Sequence, residues 1–187
     1  MSARDAYLDA ARECILDVGW RRTTLTEVAR RAGVSRMTIY RTWSDMPQLL
    51  ADLMTREWTT VVARAALAPA GGAVERIVGT AVRTVQALRD NPLFVRIVEL
   101  DPELLLPYLL ARRGRSQQAV LELLTEQLRD GQRRGEVRAG DAEVLARSLV
   151  LATHGFVLSA HTMVDDTTSL AALDAELAAL LTRAVRP

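Results

Sequence analysis

Residues 23–43 read TTLTEVARRAGVSRMTIYRTW, and this stretch decides the fold. It predicts two short helices joined by a tight turn. Thr24 stands three residues before Glu27, the spacing of a capping box: the hydroxyl takes a first-turn N–H and the carboxylate reaches back to the cap. Val28 and Ala29 then face inward, and Ala32 follows one turn later. Gly33 falls where a helix must end in a left-handed residue, which glycine adopts without a Cβ penalty. Val34 fills the corner, Ser35 caps the second helix, and Ile39 turns back into the core. The spacing of Ala29, Gly33 and Ile39 lets two helices cross closely about a short turn. That is the pattern of a helix-turn-helix, whose second helix can enter the major groove of DNA.

The charge agrees with this reading. Between Trp20 and Trp43, six arginines (21, 22, 30, 31, 36 and 41) accompany the single acid Glu27, a local net of +5, while the whole chain carries +1. A localised basic patch suits phosphate neutralisation, the sequence-independent part of DNA affinity.

The run Gly33-Val34-Ser35-x-x-Thr38-Ile39-Tyr40-x-x-Trp43, preceded by Thr24-x-x-x-Val28-Ala29, resembles the TetR family of one-component transcriptional regulators. The motif-level resemblance covers roughly residues 5–55, and beyond it only the helical layout is similar. Two positions depart from the family pattern. An aromatic, usually phenylalanine, follows the recognition helix in the family, and here it is Trp43. The family often places a lysine after the next serine, near the DNA backbone; here Ser44 is followed by Asp45, which should weaken one phosphate contact.

The remaining numbers bound the answer. A chain of 187 residues can hold a small domain and a larger one, and 49% hydrophobic content allows a sizeable core. Each apolar run is interrupted by Arg, Asp, Glu or a helix breaker, so no membrane span is expected. The start, MSARDAYLDAAREC, has acids and no apolar core, so it does not read as a signal peptide, and a cytoplasmic protein is expected. The single Cys14 offers neither an internal disulfide nor a metal cluster, and it lies on an apolar stripe as a small buried hydrophobe. All 24 basic residues are arginine. At 4%, aromatic residues are too few for a single-strand stacking platform.

Taken in order, residues 3–18 predict an amphipathic helix through Tyr7, Ala11, Cys14, Ile15 and Val18, ended by Gly19. Trp20 should pack between that helix and the motif, completing a three-helix DNA-binding unit. Ser44 and Asp45 start a helix with Pro47 in its first turn, running to about Ala68. Leu49, Leu50 and Leu53 should pack on the DNA-binding unit, and Trp58, Val61 and Val62 on the later helices, making this helix a lever between two domains. Pro69, Ala70, Gly71 and Gly72 form a loop. Further helical stretches are expected at 73–89, 93–100, 117–134 and 141–163, with a final helix whose residues 170, 173, 177, 180 and 184 form a narrow seam suited to a partner helix. No strand-like alternation stands out, so the fold class is all-α.

The sequence carries no enzyme constellation. There is no G-x-S-x-G elbow, no GxGxxG and no P-loop. His154 and His161, seven apart, make a poor metal pair with no third ligand nearby. The acids Glu99, Asp101 and Glu103 read as a helix-start cluster favoured by the dipole.

The expectation is therefore a DNA-binding domain at 1–46 and a ligand-binding and dimerisation domain at 47–187. Arg36 could take guanine O6/N7 bidentately and Met37 could touch a thymine methyl. Thr38 and Tyr40 should hold phosphates, and Arg41 could do either. Thr24 and Thr26 suit a phosphate by dipole and hydroxyl together, and Ser35 is both cap and phosphate donor. The resemblance implies a homodimer on palindromic double-stranded operator DNA, a repressor released by a small hydrophobic effector. Its cavity would be lined by Trp58, Phe94, Tyr108, Leu121 and His154, with no cofactor and no metal. The alternatives are a DNA-binding regulator without a small-molecule ligand and a helical-bundle enzyme.

Overall fold

A computed structural model describes residues 2–67 and 71–187. Among the described residues ten α-helices follow one another: α1 (Ala3–Val18), α2 (Leu25–Arg31), α3 (Arg36–Thr42), α4 (Met46–Ala66), α5 (Ala73–Arg89), α6 (Pro92–Leu100), α7 (Leu106–Leu110), α8 (Arg115–Arg133), α9 (Ala142–Ser159) and α10 (Leu170–Val185). Among the described residues there is no strand. The chain is all-α. The expected helix end at Ala68 and the loop residues Pro69 and Ala70 lie outside the described residues.

Two compact units divide the chain. The first holds residues up to Trp58 together with Asp90–Ser116; the second holds Thr59–Arg89 and Gln117–Pro187. The first core joins Leu8, Ala11, Cys14 and Ile15 of α1, Val28 and Ala29 of α2, Ile39 of α3, and Leu49 and Leu53 of α4. Leu93 and Ile97 of α6 enter the same core and lie against α1. Trp20 packs against it, as its position predicts. Ion pairs fasten α4 to α1, with Arg56 to Asp9 at 2.9 Å and Arg12 to Glu57 at 3.3 Å.

The second core gathers Ile77, Val78 and Val85 of α5, Leu121 and Leu128 of α8, Leu145, Ala146 and Leu149 of α9, and Leu177, Leu181 and Val185 of α10. A methyl group at Gly131 would come within 2.5 Å of Val137 Cγ2 and 2.9 Å of Ala73 Cβ, so glycine is what lets these backbones approach. Glu136 accepts the Ala73 backbone N–H at 2.5 Å and caps α5 from 63 residues away.

Three expectations change here. The seam of α10 divides: Leu177 is fully buried in the second core, while Leu180 is 47% exposed. The helical stretch Ala142–Met163 is long and apolar enough for a membrane span by length and composition, against the reading that every apolar run is interrupted. Its charges, Glu143 and Arg147, sit near one end and pair with each other, so they do not break its length. One face of α9 lies in the second core, through Leu145, Ala146 and Leu149. Finally, Glu99, Asp101 and Glu103 do not share one helix start: Glu99 lies in the last turn of α6, and only Asp101 and Glu103 stand at the start of the short 3-10 turn Pro102–Leu104. Asp101 caps the C-terminal end of α6, and its carboxylate serves another element.

Candidate nucleic-acid interface

The site is built by local chemistry at α2 and α3. Thr24 Oγ1 accepts the Glu27 N–H at 3.2 Å and starts α2. The reciprocal half of the box is replaced: Glu27 turns to Arg30, with Arg30 Nε at 2.9 Å and Nη2 at 2.5 Å from its oxygens. That guanidinium, first through its hydrogen bond, holds the Glu27 carboxyl below the usual carboxylate range. The end of α2 is a Schellman closure. Val34 N–H donates to Ala29 O at 3.0 Å and Gly33 N–H to Arg30 O at 3.3 Å, with Gly33 at φ +67°. Ser35 Oγ then accepts the Thr38 N–H at 3.2 Å and starts α3.

Helix α3 has two unlike faces. Ile39 is wholly buried, while Met37 is 70% and Tyr40 48% exposed. Ser35, Arg36 and Arg41 are exposed as well, and Thr38 is half-buried with its hydroxyl 2.9 Å from Ser35 Oγ. Thr24 is exposed and Thr26 half-buried at the start of α2. A seven-residue helix thus spends one side chain on the core and offers most of the others to solvent. Met37 and Tyr40 thus stand uncovered beside Arg36 and Arg41 on one face of the helix, open to a partner surface.

The basic patch is smaller in space than along the sequence. Arg21 pairs with Glu103 at 2.6 Å and with Asp101 at 3.4 Å. Arg30 pairs with Glu27, and Arg31 pairs with Asp17 at 2.5 Å. Three of the six arginines are therefore already matched by carboxylates, two of those from outside the motif. Arg22, Arg36 and Arg41 are exposed and enter no ion pair among the described residues. Asp101 is buried and also accepts the Trp20 backbone N–H at 3.1 Å, which fixes the turn between α1 and α2. Asp45, at the place of the family's lysine, serves the fold: its Oδ1 accepts the Gln48 N–H at 2.8 Å and caps α4.

The five residues expected to line a cavity are distributed over both units. Trp58 and Phe94 meet edge to face in the first, with centroids 5.5 Å apart. Tyr108 belongs to the same unit, with the Arg112 guanidinium 5.3 Å above its ring. Leu121 is buried in the second core, and His154 is half-buried on α9 in the second unit. Burial lowers the His154 pKa and favours the neutral imidazole.

A Schellman-closed α2, a capped α3 and an outward row of Arg36, Met37, Tyr40 and Arg41 define a helix-turn-helix DNA-binding protein. Comparison with known proteins gives the family. Residues 8–53 match the model described as bacterial regulatory proteins, tetR family. The chain is 38% identical over 170 residues to the uncharacterized HTH-type transcriptional regulator Mb2274c of Mycobacterium bovis, covering 91% of this chain and 87% of that one. Among solved structures, the transcriptional repressor QsdR of R. erythropolis superposes with a TM-score of 0.68 at 18% identity over 99% of this chain and 96% of that one. The SmeT–triclosan complex gives 0.65 at 22% identity over 100% and 93%. The chain belongs to the TetR family and is an HTH-type, DNA-binding transcriptional regulator.

Proposed function

We propose that the chain acts in the cytoplasm as a homodimeric repressor, released from a palindromic operator by a small hydrophobic ligand, and that it is not an enzyme. The functional division falls near residue 46, with 1–46 reading DNA and 47–187 sensing and dimerising. The observation that carries this is the outward face of α3, where Arg36 and Arg41 enter no ion pair among the described residues and Met37 and Tyr40 are uncovered. Arg36 reads a guanine, Met37 meets a thymine methyl, and Tyr40, Thr38, Arg41, Ser35, Thr24 and Thr26 hold phosphates and register.

Support for the dimer comes from the second unit. Val144 and Leu151 on α9 are exposed together with the small residues Ser148, Ala152, Gly155 and Ser159. Spacings of three and four place them in one stripe, and the small side chains admit a close partner helix. Leu170 and Leu180 of α10 are also uncovered. A twofold dimer places two recognition helices about 34–36 Å apart on a palindrome. Support for the ligand comes from the family, in which SmeT is described in complex with triclosan. The side chains offered to such a ligand are Trp58, Phe94 and Tyr108 in the first unit and Leu121 and His154 in the second, with a phenol and a neutral imidazole as the polar handles.

The test is selection of bound fragments from the source genome, followed by mobility shifts across a salt series. A dimer touching about 6–10 phosphates should lose about three or more powers of ten in affinity between roughly 50 and 200 mM salt. A flat response, or no selected fragment, would overturn the reading.

A further inference from the structure

The residue that closes the recognition helix is held by side chains of other helices. Trp43 follows α3 and is 1% exposed. Tyr7 meets its ring edge-on, with centroids 6.4 Å apart and planes at 78°. The Arg4 guanidinium lies 5.3 Å over the same ring. The indole Nε1–H donates to Asp52 Oδ2 at 2.6 Å. Asp52 Oδ2 also accepts from Arg4 Nη2, and Asp52 Oδ1 accepts from Arg115 Nη2.

Arg4, Trp43 and Asp52 thus close a triangle. The cation covers the ring, the ring's N–H meets the carboxylate, and the carboxylate meets the cation. Its corners come from α1, the residue after α3, and α4. A buried indole N–H must find an acceptor or lose its hydration without return. A phenylalanine at position 43 would fill the same space and need no acceptor, so tryptophan here requires a partner of the Asp52 kind. Burial pushes the Asp52 carboxyl up, but hydrogen bonds from Trp43 and Arg115 and the charge of Arg4 outweigh it and hold the group ionised. The fourth member, Arg115, is the first residue of α8, whose positions from Gln117 onward belong to the second unit.

We infer that Asp52 is a positioning residue for DNA binding: it holds Trp43 and so fixes the C-terminal end of the recognition helix, and through Arg115 it carries changes at the first turn of α8 to that helix. This rests on the DNA-reading role proposed for α3. Asp52 touches no DNA and acts through Trp43.

The experiment has two arms on the full chain. The first records the indole N–H resonances of Trp20, Trp43 and Trp58, with Trp43 assigned by its loss in Trp43→Phe. Asp52→Asn and Arg115→Gln should each move the Trp43 signal and leave the other two in place. The second measures operator affinity. Asp52→Ala should weaken binding about tenfold, the loss expected when a buried donor loses a charged acceptor. Asp52→Asn, which keeps an oxygen for the indole, should fall between Asp52→Ala and the natural chain. In the Trp43→Phe background, Asp52→Asn should cost no further affinity. An unmoved Trp43 signal in Asp52→Asn overturns the hold, and one in Arg115→Gln overturns the link to α8. Additive affinity losses overturn positioning through Trp43. Should Asp52→Ala fail to fold, Asp52→Asn decides alone. If the natural chain shifts no operator, the repressor reading fails, and the resonance arm still decides whether Asp52 holds Trp43.

Discussion

The α2–α3 pair and the α9–α10 pair are both two helices with a connection, yet they were not equally readable. In α2–α3, neighbours in sequence fix almost everything: Thr24 and Ser35 cap, Gly33 turns, and Ile39 anchors. The connection is too short for the helices to choose another arrangement. In α9–α10, leucines at helical spacing serve two surfaces, and sequence does not say which leucine serves which. Leu177 is core and Leu180 is surface, although both lie on the expected seam. Periodicity identifies an apolar stripe about 100° wide, but a stripe can be shared between the chain's own core and a second copy.

The largest effect should test that division. Leu177→Ala should cost about 2–5 kcal/mol of stability, because it empties a fully buried site. Leu180→Glu should change stability by no more than about 0.5 kcal/mol, as for other surface changes. Combined with Leu151→Glu, it should yield folded monomers by light scattering and abolish operator binding. If Leu180→Glu destabilised the fold as Leu177→Ala does, the distinction between core and outward face would collapse. If the Leu151/Leu180 pair stayed dimeric, the dimer face would lie elsewhere.

A second contrast lies inside the basic patch. Arg36→Ala should cost about 1–3 kcal/mol on the preferred operator and relax one base position. Arg30→Ala should change operator affinity far less, since Arg30 is already bound to Glu27 at 2.5 Å. Mobility shifts on operator and on a scrambled duplex separate the two. Equal losses on both duplexes for Arg36→Ala would make it a phosphate contact. An Arg30→Ala loss as large as that of Arg36→Ala would mean that the Glu27 pair opens on DNA.

These contrasts show where legibility ended. Caps, turn and recognition helix depend on residues at most five apart, and their geometry was open to reading. The neutralisation of Arg31 by Asp17 and of Arg21 by Glu103 depends on packing across 14 and 82 positions. A charge count along the sequence misses it, which is why +5 overstated the available patch. The place of α6 was similarly hidden. Leu93 and Ile97 are apolar at helical spacing, but nothing local says which of two cores they join. Asp52 left one signal: an aromatic with an N–H at a buried position requires an acceptor. An acid nine residues later, on the following helix, was a candidate for it.

A smaller effect should come from the cap of α3. Ser35→Ala removes the oxygen that accepts the Thr38 N–H and should cost about 1 kcal/mol in unfolding free energy. Ser35→Asp should restore the cap, because its carboxylate can take the same N–H. It should still bind operator more weakly than the natural chain, since it adds a negative charge on the DNA-facing side. Denaturant unfolding and mobility shifts, run on the same two variants, separate stability from recognition. Equal operator affinity for both variants would remove Ser35 from the interface and leave it a cap alone.

The smallest effect should separate His154 from the α2–α3 region altogether, because no histidine lies there. Burial lowers the His154 pKa in the folded chain, while the unfolded value is about 6.5. The folded state therefore binds its proton less readily than the unfolded state. Above about pH 6.5 both states are neutral at this position, and its contribution to stability is fully present. As pH falls below that value, the unfolded chain takes up the proton first, so stability falls until the folded imidazole is protonated too. Melting temperature measured between about pH 8 and 5 should fall more steeply for the natural chain than for His154→Gln, which has nothing to titrate. A ligand that bonds the neutral imidazole should extend the falling part of the curve to lower pH, because it lowers the folded pKa further and leaves the unfolded one unchanged. Parallel curves for the two proteins would mean that the imidazole is as well hydrated folded as unfolded. His154 would then be a poor polar handle for an apolar ligand, and the cavity would need another.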